Sequence, residues 1–454
     1  MVHLVVEASK YLMILLILVY TFECFYLFRF RQNEKKQKHI YCIQKIVFYL
    51  FHFDAYLVLY LTTENTHLVA FYLMQVVMFT GIFIIYHVFY KNASFLLLHN
   101  MCMLMAIGFV ILTRLSYDKC HRQFFMALAG VAVAMLVPVI LQGVSVFRKL
   151  TWIYAGVGIV ALAVVAVAGT TSYGAKLSIS IAGISIQPSE FVKLLFVFFI
   201  ASMLCKKKNF GQLVITSIFS AMFVLMLVAS KDLGGALLYF VTYLIMVYVA
   251  TKKWYYFAGG TVLMALAAVV GSQLFSHVQT RVTAWKDPLL VYDTAGYQIS
   301  QSLFAVGTGG WFGMGLNQGL PKKIPVVEKD FVFAAISEEL GGIFALCLIL
   351  ICLNCFLMFM NIAMQLKDEF YKLVALGLGT LYAMQVFLTI GGVIKFIPST
   401  GVTLPLVSYG GSSLISTLLI FGVIQGLYIR QDCTATAKKV NIAQNAERQI
   451  HEKK

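Results

Sequence analysis

The segment 151-TWIYAGVGIVALAVVAVAG-169 contains no charged residue and is long enough to form one membrane-spanning helix. About twenty apolar residues in a helix cross the roughly 30 Å hydrocarbon layer of a bilayer. Apolar blocks of similar length recur along the whole chain, which is 61% hydrophobic and only 12% charged. A soluble domain carries about a quarter charged residues. The sequence therefore predicts an all-α, polytopic membrane protein.

Thirteen apolar blocks are predicted to span the membrane. The first three form an extra N-terminal group within residues 1–92, and the other ten form a core within 93–430. The core contains one long outer loop, 276–331, and a basic tail follows over 431–454. The predicted span cores are 10–28, 45–62, 67–90, 94–114, 124–143, 151–169, 189–204, 212–229, 234–250, 254–275, 332–360, 372–396 and 404–429.

The positions of the basic residues explain the net charge of +16. They cluster in short connections between apolar blocks, which is the positive-inside pattern of membrane proteins and not a stripe for nucleic acid. If the first connection is cytoplasmic, every other cluster is cytoplasmic too, and the loops 115–123, 170–188 and 276–331 lie outside. The clusters are Arg29–Lys45, Arg148–Lys149, Lys206–Lys208, Lys252–Lys253, Lys367–Lys372 and the tail with Lys438, Lys439, Arg448, Lys453 and Lys454.

The nine cysteines are scattered, and most of them lie inside apolar blocks. Cys352 and Cys355 form a C-x-x-C pair within a predicted span, without a second pair or a nearby histidine. Metal and redox sites need such additional ligands, so packing is the better interpretation, and no disulfide framework is predicted. The apolar N-terminus lacks a basic leading region and a cleavage site, which indicates a retained helix.

The first group of polar residues within a span is Gln187-Pro188-Ser189-Glu190-Phe191-Val192-Lys193. Proline and serine suit the start of a helix. Glu190 and Lys193 are three residues apart, so they share one helix face. Two interpretations remain open: a local ion pair that neutralises itself, or a lysine that binds a carboxylate or pyrophosphate from elsewhere. Inserting a charge at membrane depth costs roughly 2.5–3.5 kcal/mol, so its presence there needs one of these two explanations.

The second group begins at Asp330, where the long loop enters the eleventh span, and continues to Glu338 and Glu339. A carboxyl group beside apolar residues at a membrane surface has a raised pKa, which suits a general base. The alternative is a charge at a helix N-terminus that interacts favourably with the helix dipole.

Two further groups are rich in glycine and hydroxyl residues. In the first, Tyr297, Gln298 and Gln301 are candidates for contact with a polar substrate, with structural packing as the equal alternative. The glycines over 307–315 do not match a dinucleotide-binding fingerprint, and they indicate tight turns or close backbone approach. In the second, 404-LPLVSYGGSS-413 predicts close helix packing and interhelical hydrogen bonds.

Taken together and in this order, these segments resemble the SEDS family of shape, elongation, division and sporulation proteins (FtsW/RodA/SpoVE type). The segments that carry the resemblance are QPSEFVKL, KDLGGA, GYQISQSL, the glycine-rich stretch, KDFVF with EELGG, and LPLVSYGGSS, all between residues 187 and 413. The family commonly has Q-P-D-L-G-T where this chain has Ser230-Lys231-Asp232-Leu233-Gly234-Gly235. The resemblance implies a ten-helix core, so the first three spans are additional.

The resemblance further implies a peptidoglycan glycosyltransferase that polymerises lipid II at the outer face of the bacterial cytoplasmic membrane. It implies Asp330 as the general base and Lys193 as its partner. It also implies undecaprenyl-pyrophosphate-linked glycan as the donor and a class B penicillin-binding protein as the partner. A divalent cation, Mg²⁺ or Mn²⁺, is the one cofactor that it admits. The candidate substrate-binding residues are Glu190, Arg281, Tyr297, Gln298, Gln301 and Ser408.

Two other functions compete with this one. A lipid II flippase needs an inward-facing polar cavity and alternating access. The ionisable residues of the matching motifs gather on the predicted outer side, which favours chemistry there. A non-catalytic scaffold of the division or elongation machinery would not need both Asp330 and Lys193.

Overall fold

The computed structural model describes residues 2–30, 33–143, 146–172, 175–181, 184–205 and 209–451. Within them, twelve helices are long and apolar enough to cross a membrane. A further helix of 17 residues, Pro188–Leu204, occupies the position of the seventh predicted span. The prediction of an all-α polytopic membrane protein is confirmed. Arg31, Lys206–Lys208, Lys453 and Lys454 of the predicted basic clusters lie outside the described residues.

The helices follow the predicted order, with two additional short helices in the long outer loop. The helices are α1 (Val2–Tyr26), α2 (Glu34–Thr63), α3 (His67–Phe89), α4 (Phe95–Leu115), α5 (Tyr117–Gly143), α6 (Thr151–Ala168), α7 (Pro188–Leu204), α8 (Phe210–Ala229), α9 (Leu233–Thr251), α10 (Trp254–Leu274), α11 (Ser276–Lys286), α12 (Tyr297–Gly309), α13 (Val332–Gln365), α14 (Glu369–Val393) and α15 (Gly411–His451).

The loop between α6 and α7 forms a small antiparallel sheet, which the sequence pattern did not predict. Its strands are β1 (Thr170–Ser172), β2 (Ala175–Ile181) and β3 (Ile184–Ile186), in the order β1-β2-β3. Thr170 pairs with Ser178, and Ile179 pairs with Ile186. The sheet leads directly into Gln187 and the first turn of α7, so it fixes where that helix begins.

Helix α1, the first of the three N-terminal helices, packs directly on the core through buried polar contacts. The Asn100 side-chain nitrogen on α4 donates to Asn354 Oδ1 on α13 at 2.8 Å. Tyr20 on α1 donates to Asn100 Oδ1 at 3.0 Å, and Asn354 donates to the Cys24 carbonyl at 3.2 Å. All four side chains are fully buried. Buried polar groups in a helical membrane protein need such partners, because no water is available to them.

Helix α13 is broken at Gly341, whose φ of 89° and ψ of 168° are not helical. The break leaves backbone amide and carbonyl groups of α13 without partners inside the helix. The glycine-rich stretch, residues 307–315, forms hydrogen bonds with them. Gly342 donates to the Gly310 carbonyl at 2.8 Å, and Met314 donates to the Glu338 carbonyl at 2.9 Å. The glycines therefore permit close backbone approach, as predicted. These bonds fasten the outer loop to α13 just beyond Asp330.

The last predicted span began at residue 404, but α15 begins only at Gly411. Residues 404–410 form a turn in which Leu406 has a φ of 65°, a left-handed conformation that a helix cannot include. The Ser408 hydroxyl accepts a hydrogen bond from the Leu404 amide at 2.9 Å, and this bond closes the turn. The segment was therefore wrongly assigned to a span.

We expect Gly341→Ala to destabilise the protein. The left-handed backbone at Gly341 strains any residue with a Cβ, and the added atom would lie 2.4 Å from the Gly313 nitrogen. Strain and overpacking together predict a loss of about 3 kcal/mol, measured as a lower thermal midpoint in detergent. Gly307→Ala is the matched control, because a Cβ at Gly307 meets nothing within 4 Å. Equal midpoints for the two variants would contradict the proposed contact between the loop and α13.

Candidate functional site

A cavity of about 1300 Å³ lies where the long outer loop meets the starts of α7, α9 and α15. Its wall includes five residues that were predicted to belong to the site. They are Glu190, Lys193, Arg281, Gln298 and Asp330. Five of the eight predicted site residues therefore line one cavity, although they are up to 140 positions apart in the chain. The cavity is large enough for a drug-sized or larger ligand, since typical ligand pockets are about 300–1,000 Å³.

Asp330 lies two residues before α13, in a segment that is attached to two other parts of the core. Lys119 on α5 forms a salt bridge with Glu328. The Tyr409 amide, in the turn before α15, donates to the Glu328 carbonyl at 2.7 Å. These contacts hold the Asp330 backbone at the cavity wall.

The carboxyl group of Asp330 is half-buried. Burial raises its pKa from 3.8 to about 6, because the charged form loses part of its hydration. The positive charges of Arg281 and Lys329 act in the opposite direction and lower this pKa. A carboxyl group with a pKa near 6 is ionised at neutral pH and is a stronger base than an exposed aspartate.

Lys193 is buried on α7 and has two partners. Its Nζ lies 2.5 Å from Glu190 Oε2 and 3.0 Å from Gln385 Oε1 on α14. The Ser416 hydroxyl on α15 donates to the same Glu190 oxygen at 3.0 Å. Gln385 in turn donates to the Thr403 carbonyl at 3.0 Å. One charged pair therefore joins α7, α14 and α15 at the cavity wall.

The predicted pairing of Asp330 with Lys193 is not the arrangement in this structure. Among the described residues, no salt bridge joins Asp330 to Lys193, and the ammonium group of Lys193 is paired with Glu190 instead. This is the local ion pair that the sequence left open as an alternative. Asp330 and Lys193 share the cavity, but the cations whose charge acts on Asp330 are Arg281 and Lys329.

Arg281 lies on α11, at the rim of the cavity. Its Nη1 donates to the Ser399 carbonyl at 3.2 Å, and the rest of the exposed guanidinium group remains accessible. On the same helix, the Trp285 indole donates to the Lys395 carbonyl at 3.1 Å. Gln298, at the start of α12, donates to the Pro325 carbonyl at 2.8 Å. These bonds attach α11 and α12 to the neighbouring loops.

Tyr297, Gln301 and Ser408 are placed outside the cavity lining that the described residues form. The Tyr297 ring packs against the Tyr292 ring, with 5.3 Å between centroids. Gln301 donates to the Tyr292 hydroxyl at 2.7 Å. Ser408 closes the turn before α15. All three side chains therefore stabilise the loops around the cavity.

Asp232 also lines the cavity, although the sequence analysis did not select it. It caps α9, because its Oδ1 accepts a hydrogen bond from the Gly235 amide at 2.8 Å. Burial raises the pKa of this carboxyl group, and Arg281 lowers it. The signal was present in the motif KDLGGA, where an aspartate precedes a helix start. Gln385 and Ser416 had no comparable signal, because each is a lone polar residue within an apolar span.

The predicted divalent cation would need a group of side chains that can act as metal ligands. Across the part of the chain that the structure describes, no three His, Cys, Asp or Glu side chains are grouped so as to hold a metal. Asp330 and Asp232 lie on the same cavity wall but do not form such a group. The described side chains alone therefore do not fit a resident Mg²⁺ or Mn²⁺.

The family model described as cell cycle protein, which covers the FtsW, RodA and SpoVE proteins, matches residues 92–431. The chain belongs to this family. The peptidoglycan glycosyltransferase RodA of Mycobacterium tuberculosis H37Rv is 34% identical, over 72% of this chain and 76% of RodA. The probable peptidoglycan glycosyltransferase FtsW of Aliivibrio salmonicida is 32% identical, over 74% of this chain and 86% of FtsW.

Solved structures agree with the fold. One chain of a peptidoglycan synthase complex, studied for its coordination of polymerization and crosslinking, is 24% identical with a TM-score of 0.63, covering 75% of this chain and 98% of that chain. Thermus thermophilus RodA is 23% identical with a TM-score of 0.55, covering 74% of this chain and 96% of that chain. At these identities the likeness shows the fold of the core. The family match begins at residue 92, so α1–α3 precede it.

We expect Glu190→Gln to destabilise the protein and Lys193→Met to restore most of the loss in the double variant. The single change leaves a buried ammonium group without its counter-ion, which costs about 3 kcal/mol, whereas the double change removes both charges. The thermal midpoints of the wild type, the two single variants and the double variant, measured in detergent, give the coupling energy between Glu190 and Lys193. If Glu190→Gln and the double variant are equally unstable, Lys193 has another counter-ion, and the assigned pairing is wrong.

Proposed function

We propose that this protein polymerises lipid II into glycan strands and that Asp330 is its general base. The observation that carries the proposal is the half-buried Asp330 carboxyl group, whose pKa burial raises to about 6, on the wall of a large cavity. The chain's membership of the FtsW/RodA/SpoVE family, with relatives named peptidoglycan glycosyltransferases, supports the substrate class.

The reaction is a single displacement. The Asp330 carboxylate takes the proton from the 4-hydroxyl of the acceptor sugar as that oxygen attacks the anomeric carbon of the growing chain. The new C–O bond forms while the bond to undecaprenyl pyrophosphate breaks, and the pyrophosphate leaves with the electron pair. One base is sufficient, and such a base typically contributes about 10²- to 10⁴-fold.

Arg281 is the residue best placed to bind the pyrophosphate. It lies at the cavity rim, its guanidinium group is exposed, and its charge acts on both Asp330 and Asp232. A planar guanidinium group matches phosphate oxygens with two parallel hydrogen bonds. Charge that develops on the leaving group is then stabilised without rearrangement of the site.

For Lys193 we propose a role other than direct contact with Asp330. Because its charge is paired with Glu190, it does not orient Asp330 by direct contact. We assign it to holding Glu190 and the first turn of α7 at the cavity wall, where Glu190 and Gln298 are candidates for contact with sugar hydroxyl groups.

The proposed side of the membrane follows from the helix ends. Helix α9 starts beside Asp232 at the cavity and ends at Lys252–Lys253, and α13 starts beside Asp330 and ends before Lys367. The positive-inside rule puts the basic ends in the cytoplasm. The cavity then opens on the outer side of the bacterial cytoplasmic membrane, where lipid-linked sugars are polymerised.

The partner and the cation are part of the same proposal. A class B penicillin-binding protein would cross-link the strands that this protein makes, and the fold match to a polymerization and crosslinking complex supports this pairing.

Magnesium is commonly held by one or two carboxylates together with substrate phosphates. Mg²⁺ or Mn²⁺ would therefore enter with the pyrophosphate, beside Asp330 or Asp232.

We expect Asp330→Asn to reduce polymerisation of purified lipid II at least about 100-fold, because an amide cannot accept the proton. Strand length is read on gels with fluorescent lipid II, and the thermal midpoint shows that the variant is folded. Asp293→Asn, an exposed aspartate of the same outer loop, is the matched control and keeps full activity.

Three results would contradict the proposal. Full polymerisation by Asp330→Asn would remove the assigned base. Transfer of labelled lipid II across vesicles by the wild-type protein, without any lengthening of glycan, would instead indicate a flippase. If neither activity appears unless a penicillin-binding protein supplies it, the protein is a scaffold.

A further inference from the structure

Helices α2 and α3, which precede the family match, contact the core at several places, and one of these is the junction between α4 and α5. The Tyr56 hydroxyl on α2 lies 2.9 Å from the Thr113 hydroxyl, close to the end of α4. The Gln75 amide on α3 donates to the same Tyr56 oxygen at 2.5 Å. Tyr56, Gln75 and Thr113 are all buried.

The hydrogen bonds at this junction run in one direction. Because Gln75 donates to Tyr56, the Tyr56 hydroxyl has its own proton available for Thr113. Thr113 donates to the Cys120 sulfur at 3.3 Å, and Cys120 donates to the Phe109 carbonyl at 3.4 Å. A directed chain of this kind is mutually polarised, so each bond strengthens the next. It links α2 and α3 to the first turn of α5.

A second contact between the same elements is aromatic. Phe71 on α3 is buried against three rings on the first two turns of α5. Ring centroids are separated by 5.4 Å for Tyr117, 5.8 Å for His121 and 5.6 Å for Phe124. Pairs of aromatic rings at such distances attract each other beyond the effect of the apolar area that they bury. His121 also lines the cavity.

The first two turns of α5 in turn hold the segments that position Asp330. Lys119 pairs with Glu328, two residues before Asp330. The Gln123 side chain donates to the Ser408 carbonyl at 2.8 Å and accepts from the Gly410 amide at 2.9 Å. Segments 328–330 and 408–410 are themselves joined by the Tyr409–Glu328 backbone bond.

We propose that α2 and α3 brace the α4–α5 junction and thereby fix segments 328–330 and 408–410 at the cavity, with Tyr56 as a positioning residue. This inference rests on the proposed function only for its effect on catalysis. Tyr56 touches no substrate. It acts through Thr113 and the start of α5, and its loss displaces the base rather than removing it. This gives the added N-terminal helices a role in the reaction of the core.

The test compares two tyrosines of the same helix. Tyr56→Phe removes the hydroxyl that reaches the core. Tyr49→Phe, the matched control, removes a hydroxyl that bonds Thr80 at 2.8 Å, entirely between α2 and α3. Thr113→Val removes the Tyr56–Thr113 bond from the core side. It replaces Tyr56→Phe in the test if that variant expresses poorly.

The first readout is independent of activity. Hydrogen–deuterium exchange of the full-length protein in detergent reports on the amides of 404–410, two of which bond Glu328 and Gln123. We expect faster exchange in Tyr56→Phe and Thr113→Val, and wild-type exchange in Tyr49→Phe. Equal exchange in all four proteins would overturn the brace.

The second readout is the steady-state polymerisation of lipid II. Loss of the two buried hydrogen bonds of the Tyr56 hydroxyl predicts a fall in kcat of about fivefold in Tyr56→Phe, with KM changed by less than about twofold. In the double variant with Thr113→Val, kcat falls by less than the product of the two single effects, because both changes remove the shared Tyr56–Thr113 bond. If kcat is unchanged while exchange is faster, the brace does not position the base. If wild-type protein shows no polymerisation, the proposed function fails, and the exchange result still decides the brace.

Discussion

The cost of placing charge in hydrocarbon determines where the functional groups of this protein lie. Each uncompensated charge at the centre of a span costs several kcal/mol, so a polytopic protein keeps charges paired or collects them where water enters. Both solutions occur here. Arg114 pairs with the buried Glu339 at 2.9 Å, and Lys193 pairs with Glu190. Asp330 and Asp232, by contrast, face one large cavity.

That cavity exists because irregular backbone is held against helices at several points. The break at Gly341 offers unpaired backbone groups, and the outer loop satisfies them. The turn at 404–410 is held by Gln123 from α5. Backbone outside a helix is tolerated in a membrane protein only where protein or a water-filled cavity satisfies it. The same bonds that meet this requirement also fix Asp330 two residues before α13.

Much of the fold was predictable from the sequence, because hydrocarbon thickness imposes a length on every span. The position of Asp330 at a span entry and the spacing of Glu190 and Lys193 were equally visible. The partners of Lys193 were not, because Gln385 lies 192 positions away and within an apolar span. Nor was the turn at 404–410, where the left-handed Leu406 interrupts a segment with the composition of a helix. Spacing predicts contacts within a helix, whereas contacts between helices depend on packing.

The pH dependence of kcat for lipid II polymerisation tests the central claim most directly. As the proposed base, Asp330 would act only when ionised, and burial raises its pKa to about 6, so we expect activity to be low below this pH, to rise through it and to level off above it. Arg281 lowers this pKa, so Arg281→Gln, measured at saturating substrate, moves the midpoint to higher pH. A rate that does not change between about pH 5 and 8, or a midpoint that Arg281→Gln leaves in place, would contradict the assignment of Asp330 as the base.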